Sequence, residues 1–114
     1  ALVLNDPQGI RNTPEKVSIF DFPEFIPPTI ISAQLDPIEN FIKKFKAIVI
    51  KPLYECAGKD VKVLNINDYS NEEIKIYLKK YQYILGQKYL KNVKENGDKR
   101  VILIDGKITA AIQR

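Results

Sequence analysis

Histidine does not occur in this sequence of 114 residues and cysteine occurs once, as Cys56, so any chemistry must run on lysine, arginine and carboxylates. A Ser-His-Asp or Cys-His triad is impossible within the chain, and a zinc site lacks its usual ligands. Lys51 stands out by context: it closes the apolar run Ala47-Ile48-Val49-Ile50 and is followed at once by Pro52. A lysine at the end of a buried strand is costly unless its ammonium reaches water or an anion. The stretch Tyr54-Glu55-Cys56-Ala57-Gly58-Lys59-Asp60 has the length of a hairpin loop. A strand, a lysine and a loop can together cradle phosphate, because backbone N–H groups and an ammonium both favour phosphate oxygens. The plainer reading is a solvated lysine at a strand end. With Gly58 as its single glycine, the loop does not match the Walker spacing, which excludes a P-loop. A second string, Asn96-Gly97-Asp98-Lys99-Arg100, is turn chemistry leading into a strand. Asp98 and Arg100 are two apart and so share a face, where they could meet a polar ligand.

The elements that must position these residues follow from periodicity. Ala1 to Leu4 reads as the end of a strand, stopping at Asn5-Asp6-Pro7. Residues 7–20 favour a helix or two short turns, with Pro14 in a first turn capped by Thr13 and Lys16 shortly after. Phe22-Pro23 to Pro27-Pro28 reads as an extended link, and Thr29 to Ser32 as a β-branched strand. Asp36-Pro37 opens a helix with Ile38, Phe41, Ile42 and Phe45 at spacings of three and four. Ala47 to Ile50 forms a buried strand broken at Pro52, and Val61 to Leu64 its returning arm. Ser70 with Glu73 makes a capping box for a helix to about Lys80. Strands begin again at Tyr83 and Lys99, and Asp105-Gly106 is a two-residue hairpin turn into Ile108 to Ile112. The expected class is α+β, a mostly antiparallel sheet with helices on one face. The strand-like start and the uncapped Gln113-Arg114 give the expectation of an interrupted domain at both ends.

An apolar share of 45% suits a globular core. Apolar runs stay far below the roughly 20 residues needed to cross a bilayer, and no signal-peptide pattern occurs. A lone Cys56 fits a reducing, cytoplasmic setting. The net charge of +4 invites a nucleic-acid reading. Much of the excess lies on helix-like segments such as Lys43, Lys44 and Lys46, as on a solvated face. Tyr77 and Tyr81 are at helical spacing, which suits a packing stripe better than a stacking platform. No nucleic-acid motif is present.

Four strings, in order, carry a family resemblance. Asn5-Asp6-Pro7-Gln8-Gly9-Ile10-Arg11 followed by Glu15-Lys16 resembles the Asn-x-Pro…Glu-Lys stretch of bacterial glutathione synthetases, which are ATP-grasp enzymes. Ile48-Val49-Ile50-Lys51-Pro52-Leu53 is similar to their Lys-Pro strand, and Gln87-Lys88-Tyr89-Leu90 to the hinge whose backbone meets adenine. Gly97-Asp98-Lys99-Arg100-Val101 with Asp105-Gly106 resembles their Gly-Asp-x-Arg strand and hairpin. Each string is weak alone; together they span nearly the whole chain.

The resemblance implies the first ATP-grasp subdomain, without the N-terminal substrate domain or the C-terminal metal-binding lobe. By it, Lys16 and Lys51 hold ATP phosphates, Gly58 lies in the phosphate loop, and Gln87, Lys88, Tyr89 and Leu90 line adenine. Asp98 lies near the ribose, and Arg100 is the catalytic residue facing the reacting carboxylate and phosphate. The implied reaction joins glycine to γ-glutamylcysteine through an acyl phosphate, using ATP and Mg2+, with the metal ligands outside this chain. The fragment alone is expected to be inactive. Where the family loop is glycine-rich, this one places Tyr54 and Glu55, and Glu55 adds negative charge near the expected phosphates. Another ATP-grasp carboxylate-amine ligase, or a non-catalytic basic interaction module, are the alternatives. No nucleic-acid or membrane partner is expected, and homo-oligomer formation is left open.

Overall fold

The computed structural model describes residues 3–55 and 58–113. The expectations for Ala1, Leu2, Cys56, Ala57 and Arg114 lie outside the described residues. Val3 and Leu4, the described part of the expected opening strand, form none. The chain enters at helix α1 (Pro7–Asn12), where the Asp6 carboxylate caps the first turn by accepting from the N–H groups of Gln8 and Gly9. Thr13 closes this helix rather than opening the next, its N–H donating to Gly9 O. Pro14 therefore begins a turn: the N–H groups of Val17 and Ser18 both donate to its carbonyl. The link expected to be extended contains a short 3-10 turn at Pro23–Phe25, where proline is tolerated in the first position.

Strands β1 (Thr29–Ser32), β2 (Ala47–Pro52), β3 (Lys62–Asn65) and β4 (Ile84–Lys88) form one antiparallel sheet in the order β1-β4-β2-β3. Helices α2 (Leu35–Phe45) and α3 (Asn71–Tyr81) cover one face. Ile38, Phe41 and Ile42 of α2 and Ile74 and Tyr77 of α3 meet Ile48, Ile50, Leu64 and Ile84 from the sheet in one core. Each buried isoleucine contributes on the order of 2 kcal/mol by leaving water. Ser70 caps α3 by accepting from Glu73 N–H, while the Glu73 carboxylate takes the ammonium of Lys62 at 2.7 Å. Because side chains alternate across a strand, the same strands leave Thr29, Val49, Lys51, Leu85 and Gln87 on the sheet's second face. Pro52 ends β2 instead of breaking it. Its nitrogen points past the start of β3, where no ladder partner is needed.

Helix α4 (Lys91–Asn96), an element not expected from the sequence, follows β4. Strands β5 (Lys99–Ile104) and β6 (Lys107–Gln113) then form a separate hairpin sheet instead of extending the first. Asp105 and Gly106 both take positive φ (52° and 71°), the geometry of the expected tight turn. Pairing moves from Ile102↔Ala110 to Leu103↔Ile108, so Thr109 is the extra residue of a bulge.

Between α3 and β4 the chain reverses at Gln82, with φ 64° and ψ −49°, and Tyr83 N–H donates to Tyr81 O at 2.7 Å. This is a γ-turn of the strained, positive-φ kind. Gln82 is exposed. Gln82→Gly is expected to stabilise the chain by about 1 kcal/mol by removing Cβ strain, read as a higher midpoint in urea unfolding.

Candidate functional site

The second face of the sheet gathers the lysines. Lys51 leaves the end of β2, and Lys16 reaches it from the turn after α1. Two cavities of about 190 and 210 Å3 share Glu15, Lys16 and Lys51 in their walls. The first continues along β4 past Leu85 and Gln87; the second runs under the loop past Glu55, Gly58 and Lys59. Three lysines thus face two glutamates, a net positive pocket suited to a polyanion.

Each lysine is held differently. Lys16 Nζ donates to Pro52 O at 2.7 Å and to Glu55 O, fastening the start of the loop beside Lys51. Lys51 Nζ donates to Gln87 Oε1 at 3.0 Å. Burial holds the Lys51 ammonium below the usual lysine range, the nearby Lys16 charge lowers it further, and Glu15 partly offsets both. Lys59 pairs with Glu55 at 3.1 Å, and that hydrogen bond raises the lysine's pKa. The charge that Glu55 brings to the loop is therefore matched within the loop.

The far end of the loop is tied to α3 through Asp60. Tyr77 OH donates to Asp60 O at 2.7 Å, while Lys80 Nζ at 2.8 Å and Tyr81 OH both donate to Asp60 Oδ2. The Lys80 and Tyr81 hydrogen bonds hold the Asp60 carboxyl below its usual range. Burial, first of all, pushes the Tyr77 phenol well above its own. Tyr77 and Tyr81 pack against each other with ring centroids 4.8 Å apart. They are a packing stripe that anchors the loop.

At the hinge, Gln87 and Lys88 finish β4, and Tyr89 and Leu90 lead into α4. Lys88 N–H donates to Pro28 O and Tyr89 N–H to Ala47 O. In an antiparallel pair of this type the partner residue returns an N–H. Pro28 has none to give, so the ladder leaves the Lys88 carbonyl open as an acceptor. Asp98 lies just before β5 and Arg100 is the second residue of that strand; both are exposed. Neither lines the two cavities around Lys16 and Lys51. The structure thus gathers Lys16, Lys51, Gly58 and Gln87, places Lys88 to Leu90 at the sheet's end, and sets Asp98 and Arg100 on the separate hairpin. Sequence reasoning did not single out Thr29, and gave Glu15 and Lys59 no role. The placement of Thr29 and Glu15 depends on strand register and chain packing, which no local signal encodes, whereas Lys59 pairs with Glu55 four residues before it. Among the described residues no group of three or more His, Cys, Asp or Glu could hold a metal ion, and no helix is long and apolar enough to cross a membrane.

Comparison with known proteins decides the family. The profile of the prokaryotic glutathione synthetase ATP-grasp domain matches residues 15–114, nearly the whole chain. The chain belongs to this family. It is 39% identical over 116 residues to the glutathione synthetase of Bradyrhizobium diazoefficiens, with 99% of this chain covered. It is 42% identical over 118 residues to that of Mesorhizobium japonicum, again with 99% covered. The chain spans 36% of the length of each of these synthetases. In fold it is similar to D-cycloserine synthetase DcsG, at a TM-score of 0.75 and 21% identity over 91% of this chain and 39% of that one. It is also similar to the ATP-grasp ligase PsnB, solved with a precursor peptide and AMPPNP, at a TM-score of 0.74 and 18% identity over 96% of this chain and 35% of that one. The ATP-grasp fold read from four short strings is therefore the fold the chain adopts. The four-stranded sheet carries Lys51, and the turn after α1 brings Lys16 beside it.

Proposed function

We propose that this chain forms the phosphate- and adenine-binding half of a glutathione synthetase active site, in a cytoplasmic enzyme whose complete form joins glycine to γ-glutamylcysteine. The observation that carries the reading is the convergence of Lys16 and Lys51 on two adjoining cavities of the sheet's second face. In this reading Lys51 and Lys16 bind the ATP phosphates, with Gly58 in the loop above them. Gln87 to Leu90 border adenine, whose amino group suits the open Lys88 carbonyl. Asp98 lies toward the ribose, and Arg100 meets the reacting carboxylate once the hairpin and the remainder of the enzyme close on the site. The γ-phosphoryl group of ATP passes to the peptide carboxylate, releasing ADP. The glycine amine then displaces phosphate from the acyl phosphate and loses a proton, forming the amide.

Charge accumulates on phosphate oxygens in the first step, and fixed cations aimed at that charge lower the barrier. Mg2+ would supply further neutralisation. The described residues offer it no ligand cluster, and its ligands belong in this reading to the remainder of the enzyme. The apolar hairpin residues Val101, Leu103, Ile104 and Ile108, exposed in this chain, would gain their cover from that remainder too.

The test is product analysis with ATP, Mg2+, γ-glutamylcysteine and glycine. The complete gene product is expected to release one phosphate per glutathione formed, and the chain of 114 residues alone is expected to give no turnover. Ligation of a different acceptor and amine in place of glycine would assign the chain to another ATP-grasp ligase. Turnover by the isolated chain would refute the division of the site.

A further inference from the structure

Lys51 reaches its place through a chain of hydrogen bonds that crosses three strands. Gln87 on β4 lies directly opposite Thr29 on β1 and Val49 on β2, and Lys51 is two residues further along β2 on the same face. Side chains in such direct and diagonal relations are within reach of one another. Lys51 Nζ donates to Gln87 Oε1 at 3.0 Å, Gln87 Nε2 donates to Thr29 Oγ1 at 2.9 Å, and Thr29 Oγ1 donates to Pro27 O at 2.7 Å.

The direction of this chain is fixed from both ends. An ammonium only donates and a carbonyl only accepts. Lys51 therefore requires the oxygen of the Gln87 amide, which turns the amide nitrogen toward Thr29. Thr29 has one hydroxyl proton, and the Pro27 carbonyl takes it, leaving the hydroxyl oxygen to accept from Gln87. Reversing the amide would set two N–H donors against an ammonium. Pro27 and Pro28 hold that terminal carbonyl on a backbone with restricted φ, and Lys88 N–H anchors the same segment through Pro28 O.

We infer that Thr29 is a positioning residue for the ATP phosphates: its hydroxyl locks the orientation of the Gln87 amide, and the amide oxygen aims the Lys51 ammonium into the site. This rests on the reading of Lys51 as a phosphate ligand. Thr29→Val keeps the shape and strand propensity of the side chain and removes only the acceptor and the proton. Gln87 then loses the partner that fixes its orientation, and Lys51 loses part of its anchor.

The experiment measures steady-state kinetics of the complete gene product for wild type, Thr29→Ser, Thr29→Val, Gln87→Leu, the Thr29→Val/Gln87→Leu double variant and Lys51→Ala. Thr29→Val is expected to raise KM for ATP about tenfold, the scale of losing one hydrogen-bond link to a charged group, with KM for glycine unchanged. Thr29→Ser retains the hydroxyl and should stay near wild type. In the Gln87→Leu background Thr29→Val should add nothing, because the link it supports is already gone; independent structural effects would add instead. The alkaline limit of ATP affinity should move to lower pH in Thr29→Val, since the Gln87 oxygen is no longer held against the ammonium. Wild-type KM and pH profile in Thr29→Val, or additive effects with Gln87→Leu, would overturn the inference while a weakened Lys51→Ala leaves the nucleotide site standing. An unaffected Lys51→Ala would instead overturn the reading of the site itself.

Discussion

Lys51→Ala in the complete gene product is expected to lower kcat/KM for ATP by roughly 10²–10³-fold, the range seen when one preorganised charge or donor is removed from a reacting centre. The site holds this ammonium in a half-buried position beside a second cation. It does so although burial and the Lys16 charge both disfavour the charged form. A group kept charged against that tendency gains most when an anion arrives. The same physics gives a pH dependence with a definite sign. Phosphate favours the ammonium, so the ATP-bound site takes up a proton where free Lys51 has begun to lose its own. ATP affinity should therefore decline as pH rises through the lowered Lys51 pKa, at a lower pH than an ordinary lysine would impose. Lys51→Arg cannot lose its proton in this range, and it should abolish the decline even if its longer fork binds less well. A decline unchanged in Lys51→Arg would assign the titration to another group.

Ile38→Ala is expected to destabilise the chain by about 3 kcal/mol, within the range for deleting most of a fully buried aliphatic side chain. Ile38 is 0% exposed and packs with Ile42, Ile48 and Ile50 in the one core between α2 and the sheet. Its Cδ1 lies 3.6 Å from where a Cβ on Gly86 would be. Gly86 sits on β4 between Leu85 and Gln87, whose side chains line the site on the opposite face. The cavity left by alanine thus opens directly behind the strand that presents Gln87. Urea unfolding should show a lower midpoint with an unchanged slope. A loss below about 1 kcal/mol would mean that the helix can collapse onto Gly86 and fill the space.

The architecture was legible where a local pattern matched a physical requirement. Ile38, Phe41, Ile42 and Phe45 announced α2, and the apolar run Ala47 to Ile50 announced a strand, which the structure continues to Pro52 and buries on alternate residues. Ser70 marked the start of α3, and Asp105-Gly106 marked the turn of the last hairpin. The first 28 residues were read less well. Thr13-Pro14 has the chemistry of a helix start, yet Asp6 had already capped a helix that ends there. Two such signals within seven residues cannot be ranked without knowing which turn packs. Helix α4 is short and has no buried residue, so no apolar face revealed it.

The candidate site was suggested by its lysines and by family strings, but its connections were not legible. Lys16 and Lys51 are 35 positions apart, and only the fold brings them to common cavities. Thr29 read as a strand former, because its link to Gln87 exists only in the register Thr29↔Gln87. The loop's single described glycine suggested a poor phosphate cradle. Glycine counting says nothing of the contacts the structure adds: Glu55 is paired with Lys59, and both ends of the loop are fastened, by Lys16 and through Asp60.

The most direct test of the proposed nucleotide site is calorimetric titration of the complete gene product with ATP and Mg2+, alongside its Lys16→Ala and Lys51→Ala variants at matched ionic strength. Saturable binding that weakens at least tenfold in Lys51→Ala, a loss of about 1.4 kcal/mol, and also weakens in Lys16→Ala, is the expected result. ATP affinity equal to wild type in both variants would contradict the assignment of the phosphate site to these lysines.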